Sequence, residues 1–257
     1  MILSRRVALG GVQLDEIHEA IVIRSIDPGV PNETINAVER MGGAGQRITG
    51  QHWNTLDVQV TYAIDVPKDQ LELRRQIFEA VNAWALRKGW LTVNYMTNRR
   101  VYVDKTVLPG SKDLWEWTSD YTITFRAYNV PFWQDELPAA AVSGIAQSGT
   151  VAIAVGGNTE SVLDATFANK SGMTIQNFRI TANGNTIQLT GISLGGNASL
   201  AISHGTDGLL RIMKGNTSIY SKYTGADDLY VNPGNTAVTY AADRAGVLTV
   251  QNYGRYI

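Results

Sequence analysis

Five times between residues 157 and 236 the chain repeats Gly-Asn followed by Thr or Ala, at 157–159, 184–186, 196–198, 215–217 and 234–236. Gly and Asn enter the left-handed backbone region at least cost, so each repeat marks a place where the chain turns back. Between these turns lie short alternating or β-branched stretches, at 151–155, 162–168, 174–181, 186–189, 200–203, 209–213, 218–223, 237–241 and 247–252. No helical period of useful length interrupts them. Strands at this spacing, joined by tight turns, predict an antiparallel β-sandwich.

The preceding half is built differently. It holds 32 of the charged residues against 13 after residue 138, and all six tryptophans (53, 84, 90, 115, 117 and 133). A change that abrupt predicts two domains, 1–138 and 139–257, each long enough to bury its own core. One helix stands out at 67–88, where Leu71, Ile77, Phe78, Val81, Trp84 and Ala85 recur at three- and four-residue spacing along one face. Pro67 suits a first helical turn, and Gly89, behind Arg87 and Lys88, suits a left-handed stop. Around it, Leu56, Val58, Val60, Tyr62 and Ile64 alternate with wetter residues, as do Tyr121, Ile123, Phe125 and Ala127. Val101 and Val103 fit a shorter strand, and 4–9 a short first one. The chain is therefore expected to be mainly β with one principal helix, an α+β protein.

Two further features concern assembly. "ETINAVERM" and "QRITGQHWNTLDVQV" flank "GGAG" at 42–45, predicting a long hairpin over 33–64. Its distal part, with Arg40, Arg47 and Gln51, is too polar for a core; it is either a solvated loop or an arm that another subunit covers. The stretch "WEWTSDYTITFRAYNVPFWQDE" at 115–136 reads as a closing strand. Pro131 ends the ladder because it cannot donate a hydrogen bond. Phe132 and Trp133 then pin the chain where it leaves for the sandwich.

Chemistry is thinly signalled. With no cysteine and a net charge of −1, neither a disulfide framework, a thiolate metal site nor a standing grip on nucleic acid is expected. No apolar run approaches the roughly 18 residues of a membrane helix. Arg5-Arg6 superficially matches a twin-arginine signal, but Asp15, Glu16, His18 and Glu19 break the apolar stretch that must follow. Gly191-Ile192-Ser193-Leu194-Gly195 has the form of a nucleophile elbow without its strand-to-helix context, and reads as a β-turn. His18, His52 and His204 lack metal-ligand spacing. Of the adjacent acids Asp15-Glu16, Asp135-Glu136 and Asp227-Asp228, only the last is kept as a weak cation candidate. Tyr220, Tyr223, Tyr230 and Tyr240 could form an exposed glycan platform. No catalytic residue, metal ligand or cofactor is expected.

The order of elements resembles that of the distal tail (Dit) proteins of long-tailed bacteriophages. "RITGQHWNTLDVQVTYAI" is similar to the second hairpin strand of their ring-forming domain. "LELRRQIFEAVNAWA" with "GWLTVNYMTNRRVYV" is similar to their helix and following strand, and "DYTITFRAYNVPFWQDE" to that domain's last strand. "DDLYVNPGNTAVTY" and "GVLTVQNYGRYI" resemble the closing strands of their galectin-like sandwich. The resemblance implies an N-terminal tail-tube-like β-barrel that forms a homo-hexameric ring, and a C-terminal sandwich that projects from it. It implies a non-enzymatic virion component at the tail tip, made in the host bacterial cytoplasm. Its implied partners are the tail-tube protein, tail-tip proteins and, in some relatives, receptor-binding proteins, with genome passing through the lumen unread. On this reading Arg40, Arg47, Gln51 and Trp53 lie along subunit contacts, and Pro131, Phe132 and Trp133 mark the domain junction. The alternative is a glycan- or cell-surface-binding sandwich using Tyr220, Tyr223 and Tyr230.

Overall fold

A computed structural model describes residues 5–39, 46–67, 69–110 and 120–257, together with the backbone but not the side chain of Gln51. Arg40, the "GGAG" turn, Trp115 and Trp117 lie outside the described residues. The chain packs as two units, Met1–Trp133 and Gln134–Ile257.

The first unit contains β1 (Val7–Leu9), β2 (Val12–Gln13), β3 (Ile21–Asp27), β4 (Glu33–Glu39), β5 (Gln46–Trp53), β6 (Leu56–Ile64), helix α1 (Leu71–Ala85), β7 (Gly89–Val93), β8 (Arg99–Val103), β9 (Lys105–Val107) and β10 (Asp120–Ala127); β11 (Trp133–Asp135) carries the chain into the second. One sheet runs β2-β1-β7-β8 and another β3-β6-β10-β9, while, among the described residues, β4 and β5 pair only with each other. The alternation in β6 and β10 turns Val58, Val60, Tyr62, Tyr121, Ile123 and Phe125 inward, all of them buried. The apolar stripe of α1 packs on that face. Phe78 meets Tyr121 at 5.1 Å and Trp84 meets Phe125 edge-on at 5.8 Å, while the Trp84 Nε1–H donates to the Val12 carbonyl at 3.0 Å. Each such ring, fully buried, contributes about 1.5–3 kcal/mol. The helix is shorter than its periodicity: Pro67 sits in the turn before it, and Gly89 opens β7 instead of capping α1.

The hairpin is longer than its sequence pattern. β3 pairs with β6 from Ile21↔Ile64 to Asp27↔Gln59, and β4 with β5 from Glu33↔Trp53 to Glu39↔Gln46, so Ile21–Glu39 runs alongside Gln46–Ile64. Between the two ladders, Asn32 and Asn54 bridge the strands through the Asn32 N–H to Thr55 carbonyl and Asn54 N–H to Asn32 carbonyl bonds, at 2.9 and 2.8 Å. The chain bends there at Gly29, whose φ is 65°; a Cβ would lie 2.0 Å from the Asp57 carbonyl oxygen, so no other residue fits.

The second unit continues with β12 (Ala139–Val142), β13 (Ala146–Val155), β14 (Ser161–Asn169), β15 (Ile175–Ala182), β16 (Asn185–Leu194), β17 (Ser199–His204), β18 (Leu210–Lys214), β19 (Thr217–Ser218), β20 (Tyr223–Gly225), β21 (Tyr230–Val231), β22 (Gly234–Asn252) and β23 (Arg255–Tyr256). Two predicted strands, 237–241 and 247–252, are one strand of 19 residues that runs through both halves of a single eleven-stranded sheet. Its first part lies between β13 and β15, extending through β16 to β20; its last part lies between β12 and β14, extending through β17 and β18 to β19. The inner faces close on Phe167, Phe178 and Tyr240, with Phe167 4.8 Å from Phe178. Asp243, between the residues that pair with β15 and those that pair with β14, accepts the Gln176 and Asn177 N–H groups at 2.8 and 2.7 Å. Gly246 leaves room for Phe167, since a Cβ there would stand 2.3 Å from that ring.

The Gly-Asn punctuation holds: Gly157, Gly184, Gly215 and Gly234 have positive φ, and at 196–198 Asn197 takes that role. The predicted strand 218–223 is instead a short β19 followed by a 3-10 turn at Tyr220–Lys222. The alanine run after Pro138, which lacks alternation, is strand β12. The chain is thus mainly β, with one α-helix among the described residues and a C-terminal antiparallel sandwich, as the sequence predicts.

Candidate functional site

The most unusual surface is the arm, β4 with β5. Alternation puts Glu33, Ile35, Ala37 and Glu39 on one face of β4, with Ile48 opposite Ala37 and Trp53 opposite Glu33. Ile35 is 52% exposed and Ile48 59%; on the other face Val38 is 51% exposed. Arg47 is exposed opposite Val38, and Gln51 stands opposite Ile35 in register. Trp53, at the foot of the arm, is half-buried. A two-stranded ribbon that shows apolar side chains on both faces has no core of its own.

The junction residues brace the root of this arm. Pro131, Phe132 and Trp133 are all buried. Phe132 meets Trp53 edge-on at 5.9 Å, and Trp133 donates its Nε1–H to the Pro28 carbonyl at 3.0 Å, beside the Gly29 bend. The structure therefore brings Trp53 together with Phe132, two residues that the sequence assigns to different sites.

Of the four tyrosines, two are in ring contact. Tyr220 and Tyr223 are in tilted contact at 5.3 Å, Tyr230 shares no ring contact with either, and Tyr240 is buried with its hydroxyl on Ser143 Oγ at 3.1 Å. Ser193 lies inside β16, not in a turn between strands. It sits at a bulge where the pairing skips from Ile175↔Leu194 to Asn177↔Thr190, with φ of 50° and its hydroxyl donating to Gln176 Oε1 at 3.3 Å.

One cluster is invisible in the sequence. His204, at the end of β17, points Nδ1 at Asp164 Oδ1 of β14 at 2.7 Å and Nε2 at Asp228 Oδ1 at 2.8 Å. Asp164 Oδ1 also accepts the His204 N–H, and Asp228 Oδ1 the Leu229 N–H. Burial by itself drives the imidazole toward its neutral form. The hydrogen bonds to Asp164 and then Asp228, with their charges, overcome this and raise its pKa to about 9. Both ring nitrogens face carboxylates, so the histidine is held as a doubly donating cation that ties three segments of the sandwich together. Asp228, read as half of an acidic pair, spends its charge here. Among the described residues no group of three or more His, Asp or Glu side chains converges as a metal site, and no helix is long and apolar enough to cross a membrane.

No family model matches this sequence, and no curated protein matches it. Solved structures do. The Dit protein of phage SPP1, described as a hub adsorption apparatus in phages that infect Gram-positive bacteria, superposes with a TM-score of 0.69 over 98% of this chain and 99% of its own, at 11% identity. A chain of the phage P2 baseplate in its activated conformation with Ca aligns over 97% of this chain and 98% of its own, at 10% identity and a TM-score of 0.46, too low to carry an argument. Nearly end to end, the chain has the fold of the SPP1 Dit hub protein.

Proposed function

We propose that this protein is a structural hub of a long-tailed phage tail tip, assembled as a hexameric ring whose lumen passes the genome. The observation that carries the reading is the arm: it is braced at its root by Phe132, yet beyond Trp53 it exposes Ile35, Val38 and Ile48, with no second layer over them among the described residues. A neighbouring copy supplies that layer, and repetition of one heterologous contact closes a ring. The Dit fold over nearly the whole chain supports the same role. The ring joins the tail tube to the tip proteins, and the sandwich faces outward toward receptor-binding components. The glycan-platform alternative draws only on the Tyr220–Tyr223 ring contact, which Tyr230 does not join among the described residues.

The test is a double substitution on the arm. Ile35→Glu with Ile48→Glu leaves both units folded, since neither side chain belongs to a core, and converts the ring to species of no more than two subunits in native mass spectrometry. A ring that survives both changes, or a wild-type chain that forms none, would remove the arm from the account.

A further inference from the structure

One side of the sandwich is unguarded. From Pro138 to Thr159 the sequence has no charged residue and no proline after the first position. Both strands of this segment are edges among the described residues: β12 pairs with the end of β22, and β13 with Gly234–Ala241 and, beyond a bulge, Gly246 of the same strand. Among the described residues no backbone hydrogen bond reaches either strand from its other side. Soluble proteins blunt such edges with lysine, proline, bulges or brevity. β13 has ten residues, about 33 Å of open ladder at 3.3 Å per residue, and its one register shift is confined to its first residues. Its outward side chains, Ser148, Thr150, Ala152 and Ala154, are small and exposed. At the corner between β12 and β13, Val142 and Ile145 are 62% and 68% exposed.

We propose that this edge pairs with the same edge of a second copy, β13 antiparallel to β13 about a two-fold axis normal to the sheet. That symmetry sets residues of like face opposite one another. Ser148, Thr150, Ala152 and Ala154 continue the outer polar face, and the buried row Val151, Ile153 and Val155 continues the core. No like charges are opposed anywhere along the seam, which removes the usual penalty of bringing identical surfaces together. A charged strand from another protein finds no complementary charge here. The five strands β20-β16-β15-β22-β13 of each copy become one ten-stranded sheet. A two-fold contact cannot run around a ring, so it links free subunits or separate rings and is independent of the arm.

The chain has no cysteine, so single-cysteine variants read the seam directly. Ser148→Cys, Thr150→Cys, Ala152→Cys and Ala154→Cys are oxidised one at a time, with Thr224→Cys on β20 as the distant control. Self-pairing gives a disulfide-linked dimer whose yield peaks at one position, beside the axis, and falls away along the strand. Thr150→Lys with Ala152→Lys weakens the association by roughly tenfold or more without altering the arm-dependent assembly. Equal yields at every position, Thr224→Cys included, overturn the proposal. So do β13 amides that exchange freely at concentrations where the protein associates. Protected β13 amides in assembled tails without self-crosslinking also overturn it, and assign the edge to a strand from another protein.

Discussion

His204 shows how one residue can set the pH response of a domain. Its folded pKa of about 9 lies above the ordinary 6.5, so folding favours the protonated form. The resulting stability is complete below about pH 6.5 and is lost as pH rises through 9; the gap corresponds to about 3 kcal/mol at most. Denaturant unfolding of the sandwich should therefore show a fall between pH 6.5 and 9.5 that His204→Gln abolishes, and an unchanged pH slope in that variant would contradict the assignment. Gly246 is the second sensitive position. Gly246→Ala forces Phe167 or the Ala168 carbonyl aside and should cost about 2–3 kcal/mol by the same measurement. Neither residue announces itself in the sequence. Asp164, His204 and Asp228 are 40 and 24 residues apart and meet because β14 pairs with both β17 and β21. Gly246 looks like one more turn glycine until β22 is seen to pass over Phe167. The turn glycines themselves were legible, because their φ is a local matter.

At the scale of elements, the arm was legible as a hairpin but not in its length. Pro28-Gly29 and Asn54-Thr55 interrupt the alternation, so the paired run from Ile21 looks like separate pieces. β22 was cut in two for the same reason: Asp243 and Arg244 read as a loop, whereas the Asp243 carboxylate uses two backbone N–H groups to hold a bend within one strand. Helix α1 was legible because its apolar stripe is long; its ends were not, since Pro67 and Gly89 serve the neighbouring segments. The arm also makes a dynamic prediction. With no second layer in a free subunit, the β4 and β5 amides should exchange within the fast class, while β6 and β10, buried under α1, exchange only on wider opening. In the assembled ring the arm should become protected by at least about tenfold. Equal exchange in both states would mean that nothing covers it.

At the scale of the whole molecule, each unit has its own core, and the change in composition near residue 138 follows from that. The second unit reaches back to Gln134: Asp135 accepts the Gly254 N–H at 3.1 Å and the Tyr256 hydroxyl at 2.8 Å. A fragment 134–257 should therefore fold and exceed 139–257 in stability by about 2 kcal/mol, the worth of hydrogen bonds to a charged group; equal unfolding midpoints would contradict this. The overall architecture was legible from the order of a hairpin, a helix and Gly-Asn-punctuated strands, which survives where 11% identity to SPP1 Dit does not show. The arm, on which the proposed ring depends, was only half legible: polarity marked it through Arg47 and Gln51, but its exposed Ile35 and Ile48 become meaningful once β4 and β5, among the described residues, are seen to pair only with each other. Mass photometry of the intact protein over a range of concentrations tests the central claim most directly. The account predicts a species of six times the 28.0 kDa chain mass, lost on Ile35→Glu with Ile48→Glu; a folded wild-type chain that stays at 28.0 kDa at every concentration would contradict it.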